Sequence, residues 1–178
     1  MRSQASAEKI TALMEALGRE VTGSGRIYLT GGATALLHGW RNSTVDVDLK
    51  ADPEPTGWFE AIATLKDNLD VNIELAAPDQ FIPALPGWKD RSRHIAQHGR
   101  LEFYHYDFYS QALAKLERGH ARDLADVQAM LERQLIAPAQ LWELFLAVEP
   151  LLIRFPGITA SLFRESVAHF CARAGAAV

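Results

Sequence analysis

The segment TGGATALLHGWRNSTVDVDLK, Thr30–Lys50, opens on two glycines and closes on two aspartates that are one residue apart. Apolar residues at positions 45, 47 and 49 alternate with polar residues at 44, 46 and 48. This alternation predicts a half-buried strand with Asp46 and Asp48 on its outer face. Aspartate is depleted in strands, and two neighbouring like charges repel. A compensating partner would make the pair favourable, and a solvated face of an edge strand is the alternative interpretation without chemistry.

A divalent cation would supply that compensation. Mg²⁺, or Mn²⁺ in its place, prefers carboxylate oxygen and usually keeps waters and substrate phosphates as its other ligands. The segment VNIEL, Val71–Leu75, alternates in the same way and predicts another strand with Glu74 on its polar face. We therefore expect Asp46 and Asp48 to bind the metal with Glu74 as a third ligand. Glu102 is a weaker alternative for that third position.

The glycine pair lies between a predicted strand, RIYLT, and a predicted short helix, ATALLHG. Gly31 and Gly32 carry no side chains, so the backbone can approach a phosphate closely, and unpaired N–H groups at a helix start favour anions. A tight turn without a ligand is the alternative interpretation. Phosphate at one end of the segment and metal at the other together predict nucleotidyl or phosphoryl transfer.

The rest of the chain divides by composition near residue 109. Before it, the patterns predict a helix over 5–21, a helix over 58–69, a loop around Pro83–Gly87 and a hairpin that turns at Gly99. After it, the pattern is helical over 109–118, 121–134, 138–149 and 159–173. We therefore expect an αβ core over 1–108 and a helical domain over 109–178.

Composition limits the function classes. The 178 residues carry a net charge of −4, so no global basic field attracts nucleic acid. The single cysteine, Cys171, fits a reducing compartment and a buried position in a helix. The start of the chain is polar, and the apolar windows carry charges, so we expect a cytoplasmic protein without membrane segments. We assign none of the histidines as a metal ligand.

Two motifs carry a resemblance to a known superfamily. LTGGATALLHGWRNSTVDVDL, Leu29–Leu49, resembles the first motif of the nucleotidyltransferase superfamily (the polymerase-β-like fold). It is similar to the form in AbiEii-type toxin nucleotidyltransferases and in a related group of small uncharacterised bacterial proteins. KLERGHARDLADV, Lys115–Val127, resembles the later motif of that group. Together the two motifs cover about 35 residues.

The resemblance implies an α+β fold, in which a mixed β-sheet core with helices precedes a C-terminal helical bundle. It implies that Asp46 and Asp48 bind metal and that Gly31 and Gly32 hold the triphosphate. From the helical domain, Lys115 would reach a phosphate and Asp123 would add an acidic group. The predicted catalytic set is therefore Asp46, Asp48, Glu74, Lys115 and Asp123.

Other residues of the two motifs have weaker assignments. Arg41, just before the acidic strand, is predicted to contact a phosphate or an aspartate. Thr44 completes the predicted nucleotide-binding set, with support of the local backbone as its alternative. Lys115 and Asp123 have an alternative too, because salt bridges of Arg118 and Arg122 with acidic neighbours would explain the segment without chemistry. Asp126 is expected to be structural.

These observations favour a metal-dependent nucleotidyltransferase that transfers NMP from an NTP to a hydroxyl on RNA, protein or a small molecule. The resemblance adds a toxin–antitoxin or phage-defence role with a cognate toxin or antitoxin partner. A catalytically degenerate module that binds a nucleotide or a partner, as an antitoxin-like regulator would, is the second hypothesis. A nucleic-acid scaffold that uses the hairpin at Gly99 is the third, and the net acidity argues against it.

Overall fold

The computed structural model describes residues 4–178, and these separate into two compact units. The first contains the chain up to Ala77 together with Ser92–Tyr106. The second contains Pro78–Arg91 and Asp107–Val178. The described residues form one five-stranded mixed sheet and eight α-helices, which confirms the α+β class. The predicted domains 1–108 and 109–178 stay a prediction.

The first unit alternates helices and strands as its sequence patterns predict. Its helices bury one apolar face each, and the predicted helices over 5–21 and 58–69 and the predicted hairpin are all present. In chain order the elements are α1 (Ala7–Glu20), β1 (Gly25–Thr30), α2 (Gly31–Leu37), β2 (Asp46–Ala51), α3 (Trp58–Asn68), β3 (Asn72–Glu74), β4 (Arg93–His98) and β5 (Leu101–His105).

The sheet has the order β3-β2-β1-β5-β4. Strand β1 is antiparallel to β2 and parallel to β5, β2 is parallel to β3, and β4 is antiparallel to β5. Because Val47, Leu49 and Ile73 are completely buried, one face of β2 and β3 belongs to the core. If the pairing of β2 with β3 slipped by one residue, these apolar side chains would move to the polar face. Their burial therefore specifies the register strongly.

Two strand predictions are wrong at their ends. Val45 was expected to continue the buried alternation, but β2 begins at Asp46, and the Val45 side chain is 54% exposed. Leu75 was expected to join the buried face of β3, but that strand ends at Glu74, and Leu75 is also exposed. Both residues lie outside the hydrogen-bonded part of their strands. The alternation of buried and exposed side chains therefore no longer applies to them.

The second unit is helical. The helices predicted after residue 109 are confirmed to within two residues, with Pro138 in the first turn of its helix and Cys171 buried. The loop predicted around Pro83–Gly87 is confirmed, and the two short helical segments on either side of it were not predicted. The elements are α4 (Trp88–Arg91), α5 (Phe108–Arg118), α6 (Ala121–Glu132), α7 (Pro138–Val148), α8 (Ala160–Arg173) and 3₁₀ segments at Pro78–Gln80 and Glu149–Arg154.

A buried ion pair explains why Pro78–Arg91 belongs with the later helices. The Asp107 side chain caps α5 by accepting from the backbone and hydroxyl of Ser110, at 3.2 and 2.7 Å. Its oxygens also accept from Arg91 Nε and Nη2, at 3.1 and 2.9 Å. Asp107 is only 1% exposed, and a buried carboxylate needs such partners. This pairing of α4 with α5 is not visible in the sequence pattern.

None of the helices within residues 4–178 combines the length and the apolar character that a bilayer span requires.

We predict that Gly18→Ala destabilises the protein, although alanine is the better helix former by about 1 kcal/mol. A Cβ at Gly18 in α1 would lie 2.5 Å from His98 Cβ and 2.6 Å from its carbonyl oxygen. The backbone of the hairpin cannot yield as a flexible side chain does, so we expect a net loss of about 1–3 kcal/mol in the free energy of unfolding. Urea denaturation measures it.

Gly157→Ala is the matched control, because its added Cβ would meet no atom within 4 Å. If Gly18→Ala proves as stable as that control, the close approach of α1 and the hairpin is not a constraint.

Candidate active site

The turn from β1 to α2 needs both of its glycines. Gly31 has a φ of +59°, and a Cβ there would lie 2.6 Å from Asp48 Oδ2. A Cβ on Gly32 would lie 2.0 Å from Thr44 Oγ1. Gly31 is thus required by its backbone conformation and by the closeness of a carboxylate, and Gly32 by the closeness of a hydroxyl. The carboxylate of Asp48 therefore lies directly beside the first glycine of the turn.

Thr44 anchors the approach to the acidic strand. Its side chain is buried, and its Oγ1 donates to the backbone oxygen of Asp46 at 3.0 Å. Its backbone pairs with Ala5 in an isolated antiparallel bridge. These contacts agree with the alternative of backbone support. The predicted contact of Thr44 with a nucleotide stays a prediction.

The two aspartates lie on the same face of β2, as the alternation predicts. Val47 between them is completely buried, while Asp46 and Asp48 are both half-buried. Asp48 pairs in register with Thr30, the last residue of β1, so its carboxylate lies at the strand end where the glycines begin. The acidic face therefore adjoins the glycine turn within one unit.

Strand register places the two candidates for a third carboxylate at different distances from Asp48. Glu74 lies directly opposite Asp48 on the parallel neighbour β3, about 4.8 Å away between strand axes. Glu102 lies opposite Arg26 on β1, roughly 13 Å along that strand from the level of Asp48. Glu102 also accepts from Tyr104 Oη at 3.0 Å. Glu74 is thus the carboxylate whose register fits, and its side chain is exposed.

The donor set suits a magnesium ion that arrives with phosphates. Among residues 4–178, no group of three or more His, Cys, Asp or Glu side chains is already arranged to hold a metal. Mg²⁺ usually binds one or two protein carboxylates and takes its other ligands from water and phosphate. Asp46 and Asp48 meet that lower requirement with hard oxygen donors, and the glycine turn lies beside Asp48.

Sequence reasoning missed the role of Asn72. This residue lies opposite Asp46 in the parallel register, and its Nδ2 donates to Asp46 Oδ1 at 2.5 Å. The period-2 pattern already placed it on the polar face beside Glu74. The pattern could not reveal its partner, because the pairing of β2 with β3 is a tertiary contact.

Two other residues lie near the glycine turn. Arg41 follows α2, with its backbone N–H donating to Ala35 at 3.4 Å, and its predicted contact with a phosphate or an aspartate stays a prediction. His105, at the end of β5, lies with its Nδ1 3.2 Å from Thr34 Oγ1. Burial, together with the nearby His38 and Arg93, lowers the pKa of His105 to about 3, so its imidazole is neutral at pH 7.

Lys115 and Asp123 form a buried ion-pair cluster in the second unit. Lys115 Nζ lies 2.6 Å from Asp126 Oδ2 and 3.4 Å from Asp123 Oδ1. Arg118 donates to both oxygens of Asp123, at 2.8 and 2.6 Å. Burial raises the pKa of Asp123, but Arg118 and Lys115 outweigh it and hold that pKa below its usual range. The salt-bridge alternative therefore describes the contacts of Arg118, with Lys115 as a further cation, while the predicted part of Arg122 stays a prediction.

A comparison with family models identifies a family for this chain. The family described as nucleotidyltransferase of unknown function (DUF6036) matches residues 8–147. The chain belongs to this family. The matched range includes the glycine turn, the acidic strand and the buried cluster, and it confirms the resemblance to the nucleotidyltransferase superfamily. Searches of curated proteins and of solved structures give no significant match.

In this family member, the predicted site residues fall into two sets. Gly31, Gly32, Thr44, Asp46, Asp48 and Glu74 lie together in the first unit, around the ends of β1 and β2 and the neighbouring β3. Lys115 and Asp123 contact each other in the second unit. The predicted roles of Lys115 as a phosphate ligand and of Asp123 as a catalytic acid stay predictions.

We predict that Gly31→Ala costs more stability than Gly39→Ala. Both residues have positive φ, +59° and +75°, so alanine adds a conformational cost of about 1–2 kcal/mol at either position. Only at Gly31 does the new Cβ collide with a carboxylate, because Gly39 has no atom within 4 Å. Urea denaturation of both variants measures the difference, and equal losses would contradict the Gly31–Asp48 contact.

We predict that Lys115→Met destabilises by about 3–5 kcal/mol, because it leaves the carboxylate of Asp126 buried without its closest cation. The double variant Lys115→Met/Asp126→Leu should recover much of that loss. Arg118→Gln is the control, since the Arg118 side chain is 54% exposed and its loss should cost less. Chemical denaturation of the variants tests this order.

Nucleotide affinity of the same double variant tests the predicted phosphate role of Lys115. Calorimetry with each NTP and Mg²⁺ measures this affinity. If the double variant binds as tightly as the native protein, Lys115 stabilises the fold and does not bind phosphate.

Proposed function

We propose that this protein is a Mg²⁺- or Mn²⁺-dependent nucleotidyltransferase that transfers NMP from an NTP to a hydroxyl on RNA, protein or a small molecule. The observation that carries the proposal is the closeness of the Asp48 carboxylate to Gly31: its Oδ2 lies 2.6 Å from the position that a Cβ of Gly31 would take. It places the acidic strand face beside a backbone turn that a phosphate would be able to approach. Membership of a nucleotidyltransferase family supports the reaction class.

The charges at this turn favour a cation between protein and nucleotide. A triphosphate at Gly31 and Gly32 would face the anionic groups of Asp46 and Asp48, and such like charges repel. A divalent ion between them would attract both the carboxylates and the phosphates. Asp46 and Asp48 would hold it, with Glu74 as a third ligand. When bound, the ion neutralises charge on the phosphates and orients them for displacement.

The chain's own residues would position the reactants. Gly31 and Gly32 would let the triphosphate lie against the backbone, and Arg41 would add positive charge from the segment before β2. Glu74, which is exposed, has access to an acceptor, and it or Asp48 would take the proton of the acceptor hydroxyl. The acceptor oxygen would then bond to the α-phosphorus, and pyrophosphate would leave.

A second candidate is a module that binds a nucleotide or a partner protein without catalysis. It is favoured by one observation: within the described residues, no three acidic groups are already arranged around a metal position. The resemblance to AbiEii-type proteins suggests a toxin–antitoxin or phage-defence setting for either candidate, with a cognate toxin or antitoxin as partner. We propose the cytoplasm as the compartment.

Labelled NTPs distinguish the two candidates. We predict that the native protein with Mg²⁺, each α-labelled NTP and a cell extract moves label into RNA, protein or a small molecule. Asp46→Asn and Asp48→Asn should each lower transfer at least about a hundredfold, because each removes a metal-binding charge that the transition state needs. Glu54→Gln, at an exposed carboxylate beyond β2, is the control and should keep full transfer.

Binding without transfer would favour the second candidate. If no label moves with any NTP in Mg²⁺ or Mn²⁺, while calorimetry still detects nucleotide binding, the catalytic proposal is wrong. Full transfer by the aspartate variants would instead remove Asp46 and Asp48 from the mechanism.

A further inference from the structure

The edge strand β3 places the amide side chain of Asn72 opposite the acidic residue Asp46. Asn72 and Glu74 flank the buried Ile73 and lie on the polar face, opposite Asp46 and Asp48 respectively. Asparagine is depleted in strands, and on this face Asn72 adds nothing to the apolar core. Its presence is explained by what it contacts across the strand pair.

Asn72 contacts the predicted metal ligand directly. Its Nδ2 donates to Asp46 Oδ1 at 2.5 Å, and both side chains are half-buried. An ionised carboxylate only accepts hydrogen bonds, so the amide nitrogen and not its oxygen must face Asp46. The bond fixes the rotation of the Asp46 carboxylate and engages one of its two oxygens.

A neutral donor suits this position better than an acid would. A carboxylate opposite Asp46 would add a further negative charge to the face that already holds Asp46, Asp48 and Glu74, and it would repel all three. The amide instead stabilises the charge of Asp46 before any cation arrives. Partners of this kind, which orient a metal ligand without touching the metal, typically change metal affinity by about 10–100-fold when removed.

We propose that Asn72 is a positioning residue, which holds the Asp46 carboxylate in the orientation that receives the divalent cation and thereby sets the cation affinity of the site. The inference deepens the proposed function and depends on its assignment of Asp46 to a metal. Asn72 itself need not touch the nucleotide. Its effect on cation affinity therefore depends on Asp46 alone. A double-mutant cycle of Asn72 and Asp46 can test this dependence.

The test is a double-mutant cycle read by metal binding. Mn²⁺ alone is titrated into the full chain, and the free ion is followed by electron paramagnetic resonance. Asn72→Ala should weaken Mn²⁺ binding about tenfold. In an Asp46→Ala background, the same change should have no further effect, because the group that Asn72 orients is gone. Asn68→Ala, at an exposed asparagine in the last turn of α3, is the control.

Asn72→Val guards against a simple folding defect, because valine is well suited to strands and cannot donate. It should weaken Mn²⁺ binding as Asn72→Ala does while thermal unfolding stays near that of the native chain. Native affinity in both Asn72 variants would overturn the inference. If Asn72→Ala lowers Mn²⁺ affinity equally in the native and the Asp46→Ala backgrounds, the inference is also overturned. The same holds if the native protein binds Mn²⁺ no more tightly than Asp46→Ala does.

The outcome is separate from that of the labelled-NTP assay. If Asn72 and Asp46 are coupled in Mn²⁺ binding but no label moves, the metal arrangement stands and the transfer reaction is wrong. If label moves but the Asn72 variants bind Mn²⁺ normally, the transfer reaction stands and the positioning role of Asn72 is wrong.

Discussion

The candidate site depends on the close approach of the Asp48 carboxylate to the space that a side chain of Gly31 would take. This contact exists because β1 and β2 are antiparallel neighbours, so the end of one strand meets the acidic part of the other. Any side chain at Gly31 would occupy the space of the carboxylate, and the positive φ of the turn also favours glycine. One steric constraint thereby brings the glycine turn and the acidic strand face together.

The two sets of predicted site residues differ in the burial of their aspartates. Asp46 and Asp48 are half-buried, and Asp46 accepts a hydrogen bond from the neutral amide of Asn72. Asp123 and Asp126 are buried and receive their positive charge from Lys115 and Arg118 of the same chain. Buried carboxylates without such partners would be costly. The second set thus already has a structural explanation, and a catalytic role would have to be additional.

Much of the fold was predictable because its elements are strongly periodic. The amphipathic pattern of α1 and the alternation around Val47 are local, and burial on one face follows from them. The predictions were wrong at Val45 and Leu75, where parity was extended past the strand hydrogen bonds. They also missed α4, since the segment around Arg91 becomes helical beside a buried partner, Asp107, that follows it by sixteen positions.

The sequence by itself determined that two acids share a strand face and that two glycines precede a helix, because both are properties of the local backbone period. It could not determine which side chains meet across strands, because pairing and register are set by how distant segments bury their apolar faces. The tertiary structure alone decided that Glu74 lies opposite Asp48, that Glu102 lies far along the sheet, and that Asn72 binds Asp46. The same burial of distant segments placed Lys115 between two aspartates.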